Sequence, residues 1–290
     1  MSLLERRSQM PHRLAAYSLL TALVAATACT TAGSTAASPR PSLPADAATA
    51  RARLDSSPRH GEWVMIPAGK DSVRAWIVYP ERKTKAPVVV VIHEIYGLSP
   101  WIRAVTDQLA ADGFIAIAPD LLTSRNLPNP TDSVPAQLAT AAIRTLDAAD
   151  VHRQISAAAN YAMSLPSALP RYGVVGYCWG GGVSFEHAVR SPSLRAAVVY
   201  YGVSPASASL ASVNAPVLGL YGGNDARVDA TIPPADSAMQ ALHKTYTHNI
   251  YEGAGHGFLR QQDGQNGANL KATQQAWPAT IAWFRRYFGA

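Results

Sequence analysis

Charged residues are scarce, at 15% of 290, and there are only two cysteines. Two cysteines in a chain of this length exclude a disulfide-built scaffold. The 21 prolines follow no period, which excludes a collagen-like rod, and no internal repeat is visible. Basic runs interleaved with aromatics are also missing. Arg6, Arg7, Arg13, Arg40, Arg51, Arg53 and Arg59 lie within the first 60 residues beside only Glu5, Asp46 and Asp55, so most of the formal charge of +6 sits there. Phosphate binding needs concentrated positive charge on the folded part, so nucleic acid is not an expected partner. No His, Cys or carboxylate has zinc-ligand spacing near His93. That histidine reads as a packed or supporting residue, and no metal and no other cofactor is expected. What is plentiful is apolar: the hydrophobic share of 48% excludes bulk disorder and suits one large packed domain.

Arg6, Arg7 and Arg13 precede an apolar stretch over 14–28, closed by small residues before Cys29. This is the layout of an export signal. As a helix the stretch spans about 22 Å, short of the roughly 30 Å of a bilayer core, which disfavours a permanent span. Ala26-Thr27-Ala28-Cys29 suits an ordinary cleavage site and also resembles a bacterial lipoprotein box, with Ala26 where leucine is usual. Lipidation of Cys29, giving a membrane tether and a periplasmic anchored protein, is the leading expectation; simple secretion and an unprocessed cytoplasmic protein stay open beside it. Residues 30–60 are rich in Ala, Ser, Thr and Pro and are expected as a flexible linker, with the folded domain over 61–290. Cys178 lies deep in that domain, far from Cys29. It is expected as a free thiol, either inertly buried or used as a nucleophile.

From residue 63 the chain alternates β-branched runs with helical stretches. A hairpin is predicted from strands 63–66 and 73–79 around Ala68-Gly69-Lys70-Asp71. Further strands are predicted at 87–93, 114–118, 172–177, 196–201, 216–221 and 247–251. Helices are predicted at 101–111, 144–165, from about 180, at 234–244 and at 272–287. About eight strands with interleaved helices leave a doubly wound sheet or an eightfold barrel.

The sequence Gly176-Tyr177-Cys178-Trp179-Gly180-Gly181-Gly182 falls between a predicted strand and a helix. It has the form of a nucleophile elbow with Cys in place of Ser, a strained turn whose neighbours two positions away must be glycine. The helix N-terminus would lower the pKa of a thiol there. Such a fold presents its nucleophile, acid and histidine in that chain order, each just after a strand. Asp225 and His256 fit those places. Asp229 and Asp120 are rival acids, and each of these residues also has a plain structural reading as a turn former or surface group. Backbone N–H groups of Ile95 and Trp179 are the expected oxyanion hole.

Four motifs carry a resemblance: Val-Ile-His-Glu-Ile-Tyr-Gly at 91–97, Gly-Tyr-Cys-Trp-Gly-Gly at 176–181, Gly-Gly-Asn-Asp at 222–225 and Gly-His-Gly-Phe at 255–258. With these in order, the chain over roughly 62–288 resembles the dienelactone hydrolase family, cysteine members of the α/β-hydrolase fold. The resemblance implies a mostly parallel, doubly wound sheet flanked by helices. It also implies that Glu94 contacts the nucleophile and exchanges its proton when substrate binds; a structural salt bridge is the other reading of that residue. Arg260 matches one of two arginines that hold the substrate carboxylate in the family, while for the second only Arg125 and Arg144 are near in sequence. Dienelactone is therefore no better an expectation than another ester or lactone. Trp179 and Tyr201 would line an apolar pocket or pack in the core.

The expected molecule is a monomeric hydrolase that cleaves a small-molecule ester or lactone through Cys178, His256 and Asp225. Two other classes stay in view: a redox-sensing thiol protein, which lacks a resolving cysteine once Cys29 is lipidated, and a non-catalytic binding module.

Overall fold

The computed structural model of the protein describes residues 42–128 and 134–289. The export segment, Cys29 and the first part of the expected linker lie outside the described residues. The domain opens with α1 (Ala50–Asp55), the hairpin β1 (Gly61–Ala68) and β2 (Asp71–Val78), then β3 (Ala86–Ile92), α2 (Pro100–Ala111) and β4 (Ile115–Pro119). It continues through α3 (Ala136–Ile143), α4 (Ala148–Ser164), β5 (Ala168–Tyr177), α5 (Trp179–Arg190), β6 (Ala197–Tyr200) and β7 (Val217–Gly222). It closes with α6 (Ala226–Asp229), α7 (Ile232–Ala241), β8 (Tyr246–Tyr251) and α8 (Ala268–Phe288).

The strands form one eight-stranded sheet in the order β1-β2-β4-β3-β5-β6-β7-β8. β2 pairs antiparallel with β1 and β4, and every other pairing is parallel. A parallel strand covered on both faces needs apolar residues in both alternating sets, and β3 reads Ala-Pro-Val-Val-Val-Val-Ile with every residue buried. Val88, Val90 and Ile92 join the core under α4, α5 and α7, while Val89 and Val91 join the core under α2 and α8. This is the doubly wound sheet, and the eightfold barrel is excluded. The chain leaves β3 for β4 on one side and returns for β5 on the other, so the strand order reverses between β3 and β5. In such sheets the crevice at the carboxyl ends of the two reversing strands is where ligands sit.

Boundaries differ from expectation in three places. The helix predicted over 144–165 begins later, as α4 at Ala148, because the Asp147 carboxylate accepts the Asp150 N–H at 2.9 Å and caps its start; α3 precedes it, over residues not predicted as helix. β5 begins at Ala168, four residues before the β-branched run, and α8 begins at Ala268 and carries Pro278 within it.

The expected spacer over 30–60 needs a larger correction, since its described part is packed against the domain. Ala45 and Ala50 are buried in the core under α2, where small side chains fit without large apolar ones. Arg59 makes two hydrogen bonds to Asp107, at 3.0 and 2.6 Å, and Trp101 Nε1 donates to the Ala45 carbonyl at 3.1 Å. The folded unit therefore includes residues 42–60.

Close packing of α8 on β5 depends on Gly173, where an added Cβ would lie 2.7 Å from Phe284 and 2.9 Å from Phe288. Gly173→Ala is expected to lower unfolding free energy by about 1–3 kcal/mol through overpacking, measured by urea denaturation of the full chain.

Candidate active site

The site is built on the two strand ends where the order reverses. β5 stops at Tyr177 and α5 starts at Trp179, so one residue must turn the chain between them. That residue, Cys178, takes φ 56 and ψ −116, a conformation that L residues adopt only when surrounding structure enforces it. The enforcement comes from backbone crowding. A Cβ on Gly176 would fall 1.8 Å from the Gly180 carbonyl oxygen, and a Cβ on Gly180 would fall 2.3 Å from that of His93. The glycine spacing read in the sequence is therefore a steric requirement of this turn.

Cys178 Sγ stands 3.0 Å from His256 Nε2, and His256 Nδ1 stands 2.5 Å from Asp225 Oδ2. Asp225 is buried and follows β7, while His256 is partly open and follows β8. Of the rival acids, Asp120 pairs with Arg74 at 2.8 Å, and Asp229 lies one turn on from Asp225, in the short α6. With the carboxylate on Nδ1, the histidine presents Nε2 to the sulfur, the arrangement in which an imidazole can take a proton from a nucleophile.

The thiol pKa is raised, contrary to the expectation from its helix N-terminus. Burial is the largest cause, and the charge of Glu94 pushes the same way. The N–H groups of Trp179 and Ile95 and the charge of Arg227 pull it down without cancelling burial. Those same two N–H groups are the donors expected for an oxyanion hole, and the sulfur lies in reach of both. Arg227 lies in α6 and belongs to no motif in the sequence.

Glu94 follows β3 and is buried, with Arg260 Nε 3.0 Å from Oε1. The two atoms form an ion pair without hydrogen-bond alignment. Burial pushes the Glu94 carboxyl up to about 7, and the Arg260 charge opposes that rise. Arg260 also lies over the Tyr96 ring, 4.9 Å from its centroid. Neither candidate for a second arginine joins it: Arg125 donates to the Thr145 carbonyl at 2.8 Å, and Arg144 is exposed after α3.

His93 has the supporting role. Its Nε2 accepts the Leu121 N–H at 3.3 Å, which leaves Nδ1–H to donate to the Glu94 carbonyl at 2.8 Å. Its ring also stacks on Trp179, at 5.6 Å. One buried imidazole, whose pKa burial lowers, thus ties the Glu94–Ile95 peptide to Leu121 and packs on the Trp179 side chain. Tyr201, at the end of β6, has φ 39 and packs its ring 5.2 Å from that of His256. Gly255 N–H donates to Asn269 Oδ1 at 2.9 Å, which holds the histidine loop to α8. No sequence motif marks Asn269.

Beside the elbow, Trp179, Gly182 and Val183 of α5 line a cavity of about 340 Å³ with Ile143, Val151 and Val203. Glu186 and Arg190, its charged residues on α5, face each other at 3.9 Å. Among the described residues no cluster of three metal-ligating side chains occurs, and no helix is long and apolar enough to cross a membrane.

The family profile of the dienelactone hydrolases matches residues 73–288. The Salmonella typhimurium protein named "Putative carboxymethylenebutenolidase" is 31% identical over 77% of this chain and 86% of its own. A Bradyrhizobium protein named as a 2-oxo-3-(5-oxofuran-2-ylidene)propanoate lactonase, with the qualifier "Probable", is 29% identical over 77% of this chain and 93% of its own. In three dimensions, a Klebsiella pneumoniae chain described as a "Putative Dienelactone Hydrolase" superposes with a TM-score of 0.70 at 27% identity, covering 79% of this chain and 99% of that one. The strand order, the glycine-bound elbow and the profile match agree: this chain belongs to the dienelactone hydrolase family.

Proposed function

We propose that the protein hydrolyses a carboxylic ester or lactone through an acyl-cysteine intermediate. The observation that carries the reading is the unbroken chain from Cys178 Sγ to His256 Nε2 at 3.0 Å and from His256 Nδ1 to Asp225 at 2.5 Å. Family membership and the lactonase and carboxymethylenebutenolidase names of its relatives support it.

In this mechanism His256 takes the thiol proton and Cys178 sulfur adds to the ester carbonyl carbon. The carbonyl oxygen, now an anion, sits against the N–H groups of Ile95 and Trp179. Collapse breaks the bond to the alkoxy oxygen, which leaves with the proton from His256 Nε2. Water then gives a proton to His256 and its oxygen to the acyl carbon. The second tetrahedral species releases the acid and returns the proton to sulfur. In a lactone the alkoxy group stays on the product, so ring opening and acylation are one step.

A buried thiol with a raised pKa is unreactive at rest, and Glu94 is one cause of that. Substrate that draws Arg260 away or neutralises Glu94 relieves the sulfur of a neighbouring charge. The cavity beside Trp179 has an apolar wall and its only charged residues on α5 are paired, which favours a neutral, apolar acyl or alcohol group there. Export with Cys29 as lipid anchor belongs to the same proposal and rests on the sequence alone.

Three outcomes are expected. Cys178→Ala and His256→Ala each lower hydrolysis of short aryl esters by at least about 10³-fold, and Asp225→Asn by less, measured as kcat/KM on the full chain; full activity in Cys178→Ala overturns the mechanism. Glu94→Gln removes a charge that raises the thiol pKa, so the midpoint of Cys178 alkylation moves to lower pH; a move to higher pH means that Glu94 is instead the base for the thiol. Val183→Phe fills the cavity, so kcat/KM falls at least about tenfold for hexanoyl aryl esters and little for acetyl ones, at roughly 0.8 kcal/mol per buried methylene.

A further inference from the structure

We propose that residues 42–59 are a strap that positions the catalytic loop, holding Arg260 against Glu94 and the elbow against α2. The segment precedes the part of the chain that the family profile covers, which begins at residue 73. Composition gives it no reason to be ordered, yet it is fastened at both ends and in the middle.

At its start Ser42 Oγ accepts from Gln108 Nε2 at 2.8 Å. Next, the carbonyl of Pro44 accepts from Gln262 Nε2 at 2.9 Å, and that of Ala45 accepts from Trp101 Nε1 at 3.1 Å. The Ala47 N–H donates to the carbonyl of Arg260 at 2.9 Å. Ala50, in α1, is buried against α2, and Arg59 closes the far end on Asp107.

Two of these bonds reach the histidine loop. Ala47 and Pro44 hold the backbone at 260 and the side chain at 262, four and six positions beyond His256 in the same loop. Arg260 carries the cation that faces Glu94 at 3.0 Å. On the other side, Trp101 is pinned by Ala45 and sets its ring edge on Tyr177 at 5.2 Å, the residue next to the nucleophile. The strap thus touches the loop of the histidine and the support of the cysteine, while touching neither catalytic group. Its residues are positioning residues, acting through Arg260 and Tyr177.

An element that only adds stability would lower the melting temperature and leave the chemistry of the folded protein alone. A positioning strap changes the site in the folded protein. Freed from Ala47, Arg260 lies farther from Glu94 on average, and the carboxyl loses the cation that keeps it charged.

The proposal rests on the Cys178 mechanism for its kinetic reading and not for its chemical one. The test uses the full chain and a matched pair, Ala47→Ser, which keeps the backbone N–H, and Ala47→Pro, which removes it. Turnover of an aryl acetate and iodoacetamide alkylation of the Cys178 peptide are followed against pH at temperatures where both variants are folded by circular dichroism. Ala47→Ser is expected to match the parent. Ala47→Pro is expected to lose about fivefold in kcat, the effect of about 1 kcal/mol. In its alkylation profile, the inflection that Glu94→Gln abolishes moves to higher pH. If both profiles of folded Ala47→Pro coincide with the parent, the strap is structural only and the proposal fails. A parent that turns over no ester defeats the hydrolase reading instead, and the alkylation shift then decides the strap by itself.

Discussion

The close approach of two backbones at the elbow is the constraint on which the rest depends. Cys178 has to leave β5 and enter α5 within one residue, and it does so only because nothing but hydrogen stands on Gly176 and Gly180. The 1.8 Å that would separate a Cβ at Gly176 from its neighbour cannot be relaxed by moving a side chain, since the obstacle is the carbonyl of Gly180 itself. Backbone strain at Cys178 is sustained by the parallel pairing of β5 with both β3 and β6 and by the packing of α5 on those strands. A sheet buried on both faces thus supplies the rigidity that a single strained residue needs.

The same packing sets the electrostatics. Drawing β3 and β5 together brings Glu94 into a site poor in water and beside a buried thiol. One acidic side chain there raises the thiol pKa, and one basic side chain, Arg260, keeps the acid partly ionised. The helix N-terminus, often invoked to activate such a cysteine, is outweighed by burial. Burial and the Trp179 N–H therefore act most strongly on the thiol, and Glu94, whose own charge depends on Arg260, adds to the effect of burial.

Much of this was legible because the constraints are local. Glycine at 176 and 180 is dictated by the turn, and the position of Asp225 and His256 just past strands is dictated by parallel topology. Their motifs survive in the sequence for that reason. What was not legible depends on partners far away in the chain. Small residues such as Ala45 and Ala50 look like linker until the surface of α2 is known, because an alanine is as suited to a tight seam as to a spacer. Asn269 and Arg227 carry no motif, and their roles follow from where α8 and α6 are docked. The start of α4 at Asp147, three residues inside the helix predicted from 144, is marked by a local signal, an acidic cap.

His93 shows how the two kinds of information meet. Its neighbour Glu94 and the strand before it are conspicuous in the sequence, while its function is set by Leu121 and Trp179. A neutral imidazole can donate on one nitrogen and accept on the other, and here it accepts from the Leu121 N–H after β4 and donates to the Glu94 carbonyl after β3. Burial lowers its pKa and so favours the neutral form that both bonds require. The peptide that carries the Ile95 donor is thereby tied to the end of β4 through a buried imidazole, whose other contact is the Trp179 ring.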